Sequence, residues 1–531
     1  MRTIGYILFS GLMMLMAVKP VAAQDDDKEL KKLELAWQLI STFYVDSVDT
    51  ESVTEEAIKA MLKDLDPHSV YIPSEEVEAM NDPLEGNFEG IGIEFMILND
   101  TLTVVSTIPG GPSEKVGLMA GDRIVEVDGE DIAGVGLSNS DVFDLLRGEK
   151  GTEVELGVLR NEEVLHFVVV RDEIPIYSVE AAYKMTSETG YIKISRFSEK
   201  THQEFVDALK KLKQNHINNL VLDLRGNGGG YLKASLDLVD EFIGDRRLLL
   251  YTDGRSIPRS DYKSRPGGLW EKGRLIVLID EGSASASEIV AGAVQDWDRG
   301  IIMGRRSFGK GLVQRPFPLP DGAEIRLTIA RYYTPSGISI QKPYNEGIKE
   351  YRKEIYERYQ HGEFMHSDSI DLPDSLVYRT KRKERKVYGG GGIVPDLFMP
   401  LDTSYYTDYY RDLVASGTVN RFVIDKMDEL REEWQNEYDS FEAFQKRFEV
   451  PAHLIDELVA RGEENGIASD EGALETSLDW LKLQIKALIA RNMWSNSEYY
   501  RILNPALPFF DKVIEVIEDS ESYSETFGNG D

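Results

Sequence analysis

The residues with the clearest chemistry are a cluster of serines and a lysine in two stretches of small residues. The first stretch, GSASASE, spans 282–288 and contains Ser285, and the second, FGKG, spans 308–311 and contains Lys310. A serine hydroxyl is a weak nucleophile until a base removes its proton. A lysine can be that base only where apolar surroundings lower its pKa. By spacing alone, a helix-capping role for the serines and a solvated lysine both stay open.

The serine stretch lies between a predicted strand and a predicted helix. Leu275 to Ile279 form a continuous apolar run, which is typical of a buried parallel strand. After the serines, apolar residues recur at helical spacing, from Ile289 to Val294. A hydroxyl in such a turn lies near a helix N-terminus, where unpaired backbone N–H groups favour developing negative charge.

A second predicted strand, Leu220 to Leu224, runs into the glycine-rich stretch RGNGGG at 225–230 and then into a helix. The same layout of strand, glycine loop and helix occurs in nucleotide-binding loops. The stretch does not fit G-x-G-x-x-G, however, and no Gly-Lys-Ser/Thr follows it. A nucleotide site is therefore disfavoured.

Together, GSASASE and FGKGLVQ resemble the active-site signature of the carboxy-terminal processing (tail-specific) serine proteases. The resemblance implies that Ser285 is the nucleophile, that Lys310 is the general base and that Gln314 supports the lysine. These three positions match the family pattern without substitution.

The glycine-rich stretch resembles the DLRxNPGG loop of the same family, with Gly228 in place of the proline. The resemblance implies that the backbone N–H groups of Gly229 and Ala286 form the oxyanion hole. Gly228 or Gly230 stays open as an alternative to Gly229. The substitution at Gly228 gives the loop more freedom but removes no donor.

Residues 86–173 show short alternating strands separated by turns, the pattern of a β-rich module. The run from GIGIEF to VGLMAGDRIVEVDGEDI is similar to a PDZ domain of the bacterial protease type. This similarity implies that a substrate's C-terminal carboxylate binds the backbone amides of Gly90, Ile91, Gly92 and Ile93, and that the substrate peptide adds as a strand. An apolar pocket beside them would favour tails ending in small or hydrophobic residues. A purely structural hairpin is the alternative.

The N-terminus has the features of a secretory signal peptide over residues 1–23. Arg2 precedes an apolar run from Ile4 to Val18, and small residues follow at 21–23. An uncleaved membrane anchor is the alternative. The chain has no cysteine, so it makes no disulfide and has no thiol for catalysis or metal binding. These features predict export to a bacterial periplasm.

Composition predicts a soluble protein of several domains. The chain is 42% hydrophobic and 29% charged, with a formal net charge of -33 that is spread along its length. Because phosphate contacts need basic patches, this charge argues against nucleic-acid binding.

The predicted fold class is α/β and multi-domain, with a crotonase/ClpP-like α/β protease core and an inserted β-rich PDZ domain. Strand–helix alternation marks the core, and long helical stripes mark the C-terminal region. We expect residues 245–272 to be a surface excursion and the tail after Asp519 to be disordered. The predicted domains, after the signal peptide, are a helical segment (28–80), the PDZ domain (86–173), the protease core (179–400) and a helical C-terminal domain (403–520).

We therefore predict an exported serine endopeptidase with a Ser–Lys dyad, guided by its PDZ domain to apolar C-terminal tails. No metal or cofactor is implied, and His361 and His366 lack partners at metal-ligand spacing. His68 is interpreted as a turn residue rather than a catalytic base. The helical C-terminal region could pack on the protease core, recruit a periplasmic adaptor or hold a homo-oligomer together, and the sequence does not choose between these roles.

Two rival functions stay open. One is a non-catalytic PDZ protein that binds tails or acts as a scaffold, disfavoured because nucleophile, base and supporting residue are all present. The other is an acyl-transfer enzyme on a crotonase-like core, disfavoured because a thioester cofactor would be scarce outside the cytoplasm.

Overall fold

A computed structural model describes residues 22–98, 100–108, 110–119, 121–160, 163–371 and 374–526. The predicted signal peptide lies outside these described residues, except for its last two positions. No helix of the described part is long and apolar enough to cross a membrane. The chain divides into two compact units, residues 1–65 and 66–531, which are described separately below.

The first unit contains two helices, α1 (Ala22–Phe43) and α2 (Thr50–Lys63). Helix α1 ends at Phe43, and a short turn leads to α2. Asp49 begins α2 by accepting the backbone N–H groups of Glu51 and Ser52, both at 3.2 Å. Much of the apolar surface of α1 is exposed, including Leu33, Trp37 and Ile40 at 44–46%.

The second unit opens with strand β1 (Val70–Ile72) and helix α3 (Ser74–Glu85). The predicted helical segment, 28–80, therefore contains a strand. Strand β1 pairs antiparallel with residues 324–326, far along the chain. A three-residue strand flanked by turns carries too little periodicity to be distinguished from a helix break.

The PDZ region forms a small sheet with two helices. Its strands follow the spatial order β3-β4-β5-β7-β8, with β6 added to β5, while β2 and β9 pair at the entrance and exit of the domain. Strand β3 is an edge strand. The elements are β2 (Asn87–Gly90), β3 (Ile93–Leu98), β4 (Thr101–Thr107), α4 (Pro112–Val116), β5 (Arg123–Val127), β6 (Glu130–Asp131), α5 (Asn139–Leu146), β7 (Glu153–Arg160), β8 (Glu163–Val170) and β9 (Asp172–Pro175).

The protease core alternates strands and helices, as its sequence pattern predicts. Its elements are β10 (Val179–Lys184), β11 (Thr189–Ile194), α6 (Thr201–Gln214), β12 (Asn219–Asp223), α7 (Leu232–Asp240), β13 (Leu248–Asp253), β14 (Ser260–Lys263), β15 (Arg274–Ile279), α8 (Ala286–Asp296), β16 (Ile301–Gly304), β17 (Leu312–Pro318), β18 (Glu324–Tyr333), α9 (Ile348–Gln360), β19 (Val377–Arg379), β20 (Lys386–Tyr388) and β21 (Leu397–Phe398).

The main sheet has the order β10-β11-β12-β15-β16-β21 and is parallel from β11 onward. In its register Asp223 at the end of β12 pairs with Leu278 near the end of β15. The loops that leave these two strands therefore lie side by side at the carboxyl edge of the sheet, which is the usual place for a site in such folds. We call residues 225–230 the glycine loop and residues 280–285 the serine turn.

A second sheet contains β13 and β14 within the stretch predicted as a surface excursion, 245–272, so that prediction is wrong for these strands. Strand β13 pairs with β18, and its Leu249 and Leu250 are 2% and 1% exposed. The run of leucines in β13 supplies buried side chains. The polar residues around this run hide the strand in the sequence pattern.

The C-terminal region has two parts. Helices with a shared apolar core form the C-terminal bundle: α10 (Asp408–Ala415), α11 (Thr418–Glu437), α12 (Phe441–Arg447), α13 (Ala452–Glu464) and α14 (Glu471–Met493). The remaining helices, α15 (Asn496–Leu503), α16 (Pro508–Glu518) and α17 (Ser520–Thr526), form the return segment, 496–526.

The return segment covers one face of the main sheet. Phe510, Val513 and Ile517 of α16 pack on Val221 and Ile276 of the sheet. The opposite face carries α6, α7 and α8. A single helical domain over 403–520 is thus not observed, because its last helices belong to the layers of the core.

The prediction of disorder after Asp519 is wrong for α17. The hydroxyl of Tyr523 bonds both the backbone N–H and the carbonyl of Leu275, each at 3.1 Å. Arg274 donates to the carbonyls of Ile517 and Glu518, each at 2.7 Å. These tertiary contacts order a short polar helix whose composition alone gives no sign of them.

Candidate active site

Ser285 occupies the last position of the serine turn, directly before α8. Its backbone has φ 54° and ψ −110°, which a residue with a side chain adopts only where its surroundings fix it. The hydroxyl of Ser283 donates to the carbonyl of Leu224 at 2.8 Å. Because Leu224 follows β12, this bond fixes the serine turn to the neighbouring strand.

Glu288 joins the serine turn to the segment that carries the lysine. Its carboxylate is fully buried and accepts the backbone N–H of Ser285 at 2.8 Å and that of Lys310 at 2.9 Å. It also accepts the N–H of Gly309 at 2.7 Å and the hydroxyl of Ser307 at 2.5 Å. Burial raises the pKa of Glu288 to about 7, although these hydrogen bonds favour the charged form.

Tyr332 makes a second connection between the same two segments. Its hydroxyl donates to the carbonyl of Ser285 at 3.1 Å and also contacts the carbonyl of Lys310. The tyrosine is 1% exposed, so this bridge is shielded from water. The backbones of Ser285 and Lys310 are therefore held together from two sides.

The side chain of Lys310 lies in surroundings that favour its neutral form. Burial is the largest cause that lowers its pKa, and the positive charge of Arg326 adds to it. Its Nζ donates to Oε1 of Gln314 at 2.9 Å. The described chain shows no direct hydrogen bond between this amine and the hydroxyl of Ser285.

Gln314 is itself fixed by the turn at residues 66–69, as its Nε2 donates to the carbonyl of His68 at 2.5 Å. Asp66 shapes that turn by accepting the backbone N–H groups of His68 at 2.8 Å and of Ser69 at 2.9 Å. The turn thus positions Gln314, and Gln314 in turn positions the amine of Lys310.

His68 is a residue of the site that the sequence interpretation did not include, although it does lie in a turn as predicted. Its Nε2 is 2.8 Å from the hydroxyl of Tyr351. Burial and then the positive charge of Lys310 lower its pKa to about 4, so the imidazole is neutral at pH 7. The available signal was the turn DPHS, which no helix or strand pattern explains.

The glycine loop lies directly against Ser285. A Cβ added at Gly229 would be 2.8 Å from Cβ of Ser285 and 3.0 Å from the backbone nitrogen of Ala286, so only glycine fits there. Its φ of +104° also favours glycine. The structure therefore brings together Gly229, Ala286 and Ser285, three of the residues that the sequence selected.

The predicted oxyanion donors differ in how they are bonded. The N–H of Gly229 donates to Oδ1 of the buried Asn227 at 2.9 Å. The N–H groups of Ala286 and Gly228 have no hydrogen bond in the described part of the chain. An oxyanion at Gly229 would thus have to replace Asn227, and Gly228 stays the open alternative.

The four PDZ residues proposed for tail binding connect β2 to the edge strand β3. Gly90 ends β2 and Ile93 begins β3, with Ile91 and Gly92 between them. Within the described residues, the N–H groups of Ile91 and Gly92 have no bonded partner, while their carbonyls accept bonds from residues 113 and 108. Two adjacent free amides beside an edge strand can bind a carboxylate.

Among the described residues, no group of three His, Cys, Asp or Glu side chains is arranged to hold a metal ion. His361 directly follows α9, and His366 lies in the turn after it.

Four segments of the chain match models of protein families. Residues 188–350 match peptidase family S41, and residues 103–160 match the PDZ domain. Residues 15–76 match the N-terminal domain of the activating protease CtpB, and residues 409–495 match a family of unknown function, DUF8443.

Two curated relatives align with most of this chain. The carboxy-terminal processing protease CtpB of Bacillus subtilis is 38% identical over 336 residues, which cover 61% of this chain and 69% of the relative. The carboxy-terminal-processing protease of Bartonella bacilliformis is 38% identical over 324 residues, covering 60% and 74%. Among solved structures, the photosystem II D1 C-terminal processing protease is 30% identical over 59% of this chain and 90% of its own, with a TM-score of 0.34.

Proposed function

Because this chain belongs to the carboxy-terminal processing family of serine proteases and is a serine endopeptidase, we propose that it cleaves with a Ser–Lys dyad and selects substrates by their C-terminal tails. The observation that carries the proposal is Glu288, whose one buried carboxylate accepts the N–H groups of both Ser285 and Lys310. One carboxylate thus holds the backbones of both residues, which restricts where their side chains can reach.

In the proposed reaction, Oγ of Ser285 attacks the scissile carbonyl while Nζ of Lys310 accepts its proton. The lysine must begin neutral, which agrees with the lowered pKa of its amine. By accepting one N–H of that amine, Gln314 orients the lone pair towards the serine. A side-chain rotation of Ser285 or Lys310 completes the contact.

The tetrahedral intermediate places its negative charge near the N–H of Ala286 and a donor of the glycine loop. Collapse of the intermediate breaks the C–N bond, and Lys310 returns its proton to the leaving amine. Water then attacks the acyl ester on Ser285, with Lys310 as base again, and releases the new carboxyl terminus. Loss of one oxyanion donor costs about 3 kcal/mol in related sites.

The PDZ domain supports selection by tails. A tail would add as a strand to the free edge of β3, with its carboxylate on the amides near Ile91 and Gly92. Phe95 of β3 and Phe143 of α5 lie 5.6 Å apart between ring centres, which makes the side of this edge apolar. Tails ending in small or hydrophobic residues are the expected substrates.

Export to the periplasm is also part of the proposal. It rests on the charged, apolar and small-residue pattern of residues 1–23 and on the lack of cysteine. The mass of the mature chain from a periplasmic fraction tests it. A chain that begins at Gln24 is expected, whereas a membrane-bound chain that keeps residue 1 would support the anchor instead.

The exposed apolar side of α1 supports the proposal that the chain forms a homo-oligomer. Leu30, Leu33, Trp37 and Ile40 are each 44–65% exposed in the first unit, at helical spacing. Sedimentation of the full chain and of Leu33→Glu tests this proposal. Dissociation by Leu33→Glu is expected, and a wild-type monomer that gains mass only with a periplasmic extract would indicate an adaptor instead.

The decisive experiment for catalysis is cleavage of an unfolded reporter that ends in an apolar tail. Wild type, Ser285→Ala and Lys310→Ala are compared after circular dichroism shows that all three are folded. Only the wild type should cleave, and an acidic tail on the same reporter should slow it. Undiminished cleavage by Ser285→Ala would overturn the dyad, and equal rates on both tails would overturn tail selection.

A further inference from the structure

The glycine loop begins at a buried ion cluster beneath the main sheet's carboxyl edge. Asp223 is fully buried and accepts the backbone N–H of Arg225 at 2.9 Å. It also accepts two side-chain bonds from Arg225, Nε at 3.0 Å and Nη2 at 2.7 Å, and the hydroxyl of Tyr191 at 2.7 Å. These positive and donating neighbours hold the pKa of Asp223 well below its usual range, despite its burial.

The carbonyl of Arg225 is fixed as well. Nζ of Lys193 donates to it at 3.0 Å, and the same amine lies 5.7 Å from the ring centre of Tyr500 in α15. Both ends of the peptide unit at Arg225 are therefore held, one by Asp223 and the other by Lys193. A shift of the guanidinium would move the first residue of the glycine loop.

The return segment closes this cluster from outside the sheet. The guanidinium of Arg225 lies 4.7 Å from the ring centre of Phe509 and 5.1 Å from that of Phe510. A cation over an aromatic face is attracted by the ring's charge distribution, more strongly where water is excluded. Phe510 is fully buried, and its ring centre is 5.9 Å from that of Tyr191.

The glycine loop has few other means to hold its shape. Four of its six residues are glycines, which resist bending least of all residue types. Its middle is fixed by the buried Asn227, whose Nδ2 donates to the carbonyl of Ile194 at 2.9 Å. Its end is fixed by Phe197, whose N–H donates to the carbonyl of Gly229 at 2.9 Å. Its start is held by Arg225 and by the N–H of Gly226, which donates to Oδ1 of Asp280 at 2.8 Å.

We propose that Phe509 and Phe510 of the return segment are positioning residues for the oxyanion hole, acting through Arg225. This inference rests on the proposed function, because it gives the glycine loop a role in stabilising the oxyanion. The proposal makes the return segment part of the support of the active site, although this segment lies far beyond the region that matches the peptidase family, 188–350. Loss of the aromatic contact lets Arg225 and the loop move, which weakens stabilisation of the transition state more than substrate binding.

The same helix offers a matched control. Ile517 of α16 is fully buried on the same face of the sheet, next to Val513, and it makes no contact with Arg225. Shortening Ile517 to valine removes a buried methyl group and costs stability without touching the ion cluster. Phe509 is only half-buried, so a tyrosine there keeps the ring and leaves its hydroxyl access to water.

The experiment measures kcat and KM on the tailed reporter, with thermal unfolding, for the full chain and the variants Phe509→Leu, Phe509→Tyr, Ile517→Val and Ser285→Ala. We expect Phe509→Leu to lower kcat by about tenfold with KM unchanged, since small displacements of catalytic groups cost rate rather than affinity. Phe509→Tyr should restore kcat. Ile517→Val should lose comparable thermal stability and keep the wild-type kcat.

Two results would overturn the inference. One is a wild-type kcat in Phe509→Leu while Ser285→Ala is inactive, which leaves the proposed function intact. The other is a fall of kcat in Ile517→Val equal to that in Phe509→Leu. This result would show that the return segment affects kcat through its packing on the sheet and not through Arg225. Full cleavage by Ser285→Ala would instead be a failure of the proposed function itself.

Discussion

The serine turn and the glycine loop leave neighbouring strands of one sheet and bond to each other, but each also has supports of its own. The serine turn is fixed from close by, through Glu288 of the next helix and the segment at 307–310. The glycine loop is fixed at its start by Arg225, which contacts aromatic rings of α16. The backbone of Ser285 is thus held within the core, whereas the start of the glycine loop also contacts a distant segment.

The two loops also differ in whether their functional groups are free. The N–H of Ala286 beside the serine turn has no hydrogen bond in the described chain, while that of Gly229 is bonded to Asn227. An incoming oxygen atom could therefore accept the N–H of Ala286 directly, whereas at Gly229 it would have to displace Asn227.

Replacing Glu288 should have the largest effect, because its carboxylate accepts bonds from both catalytic segments. In Glu288→Gln an amide NH₂ must face backbone N–H donors in a buried site, at a cost of about 3 kcal/mol. We expect kcat/KM to fall by about 100-fold, together with a lower melting temperature. Glu281→Gln, in the same turn but paired with Arg305, is the control and should stay close to wild type. Wild-type kcat/KM in Glu288→Gln would show that the serine turn holds its shape without this carboxylate.

Asn227→Ala tests the opposite loop and should have a smaller effect. The change removes the bond to Ile194 and frees the N–H of Gly229 at the same time. We expect kcat to fall by about tenfold, since the loop loses one of its anchors. Asn227→Asp keeps an acceptor for the N–H of Gly229, so its kcat should lie between those of the wild type and Asn227→Ala. An increase of kcat in Asn227→Ala would mean instead that the bond to Gly229 holds the site inactive.

The pH dependence should reveal the charge that helps to keep Lys310 neutral. Arg326 lowers the pKa of this lysine, so Arg326→Gln should raise it towards the ordinary value of 10.5. The rising limb of kcat/KM against pH then moves to higher pH, and activity at pH 7 falls while that at high pH is kept. Arg315→Gln, on the exposed side of the same hairpin, is the control. An unmoved limb in Arg326→Gln would contradict this origin of the pKa shift.

The smallest effect concerns stability in acid. His68 has a folded pKa of about 4 against an unfolded value of 6.5, so the unfolded chain takes up the proton first. The free energy of unfolding should therefore fall as the pH drops from 6.5 towards 4. His68→Gln should lose less over this range in urea titrations, while His166→Gln, an exposed site on β8, should follow the wild type. Equal slopes for wild type and His68→Gln would contradict the buried neutral histidine.

Motif-bearing residues were predictable because they are close in sequence and chemically restricted. The serine run, the lysine between glycines and the supporting glutamine can be identified without coordinates, and so can the strands that precede them. Arg326, Tyr332 and His68 could not be assigned, because each reaches the site from another element and none belongs to a periodic pattern or a spaced motif.

The sequence alone determined the family, the α/β core with its PDZ domain and the candidates Ser285, Lys310 and Gln314. These features follow from local patterns, namely strand and helix periods and short motifs. Tertiary structure decided that β13 belongs to a sheet, that α17 is ordered and that α16 lies on Arg225. The physical reason is that these contacts join residues far apart in the chain, where burial and charge depend on the folded neighbours rather than on the adjacent sequence.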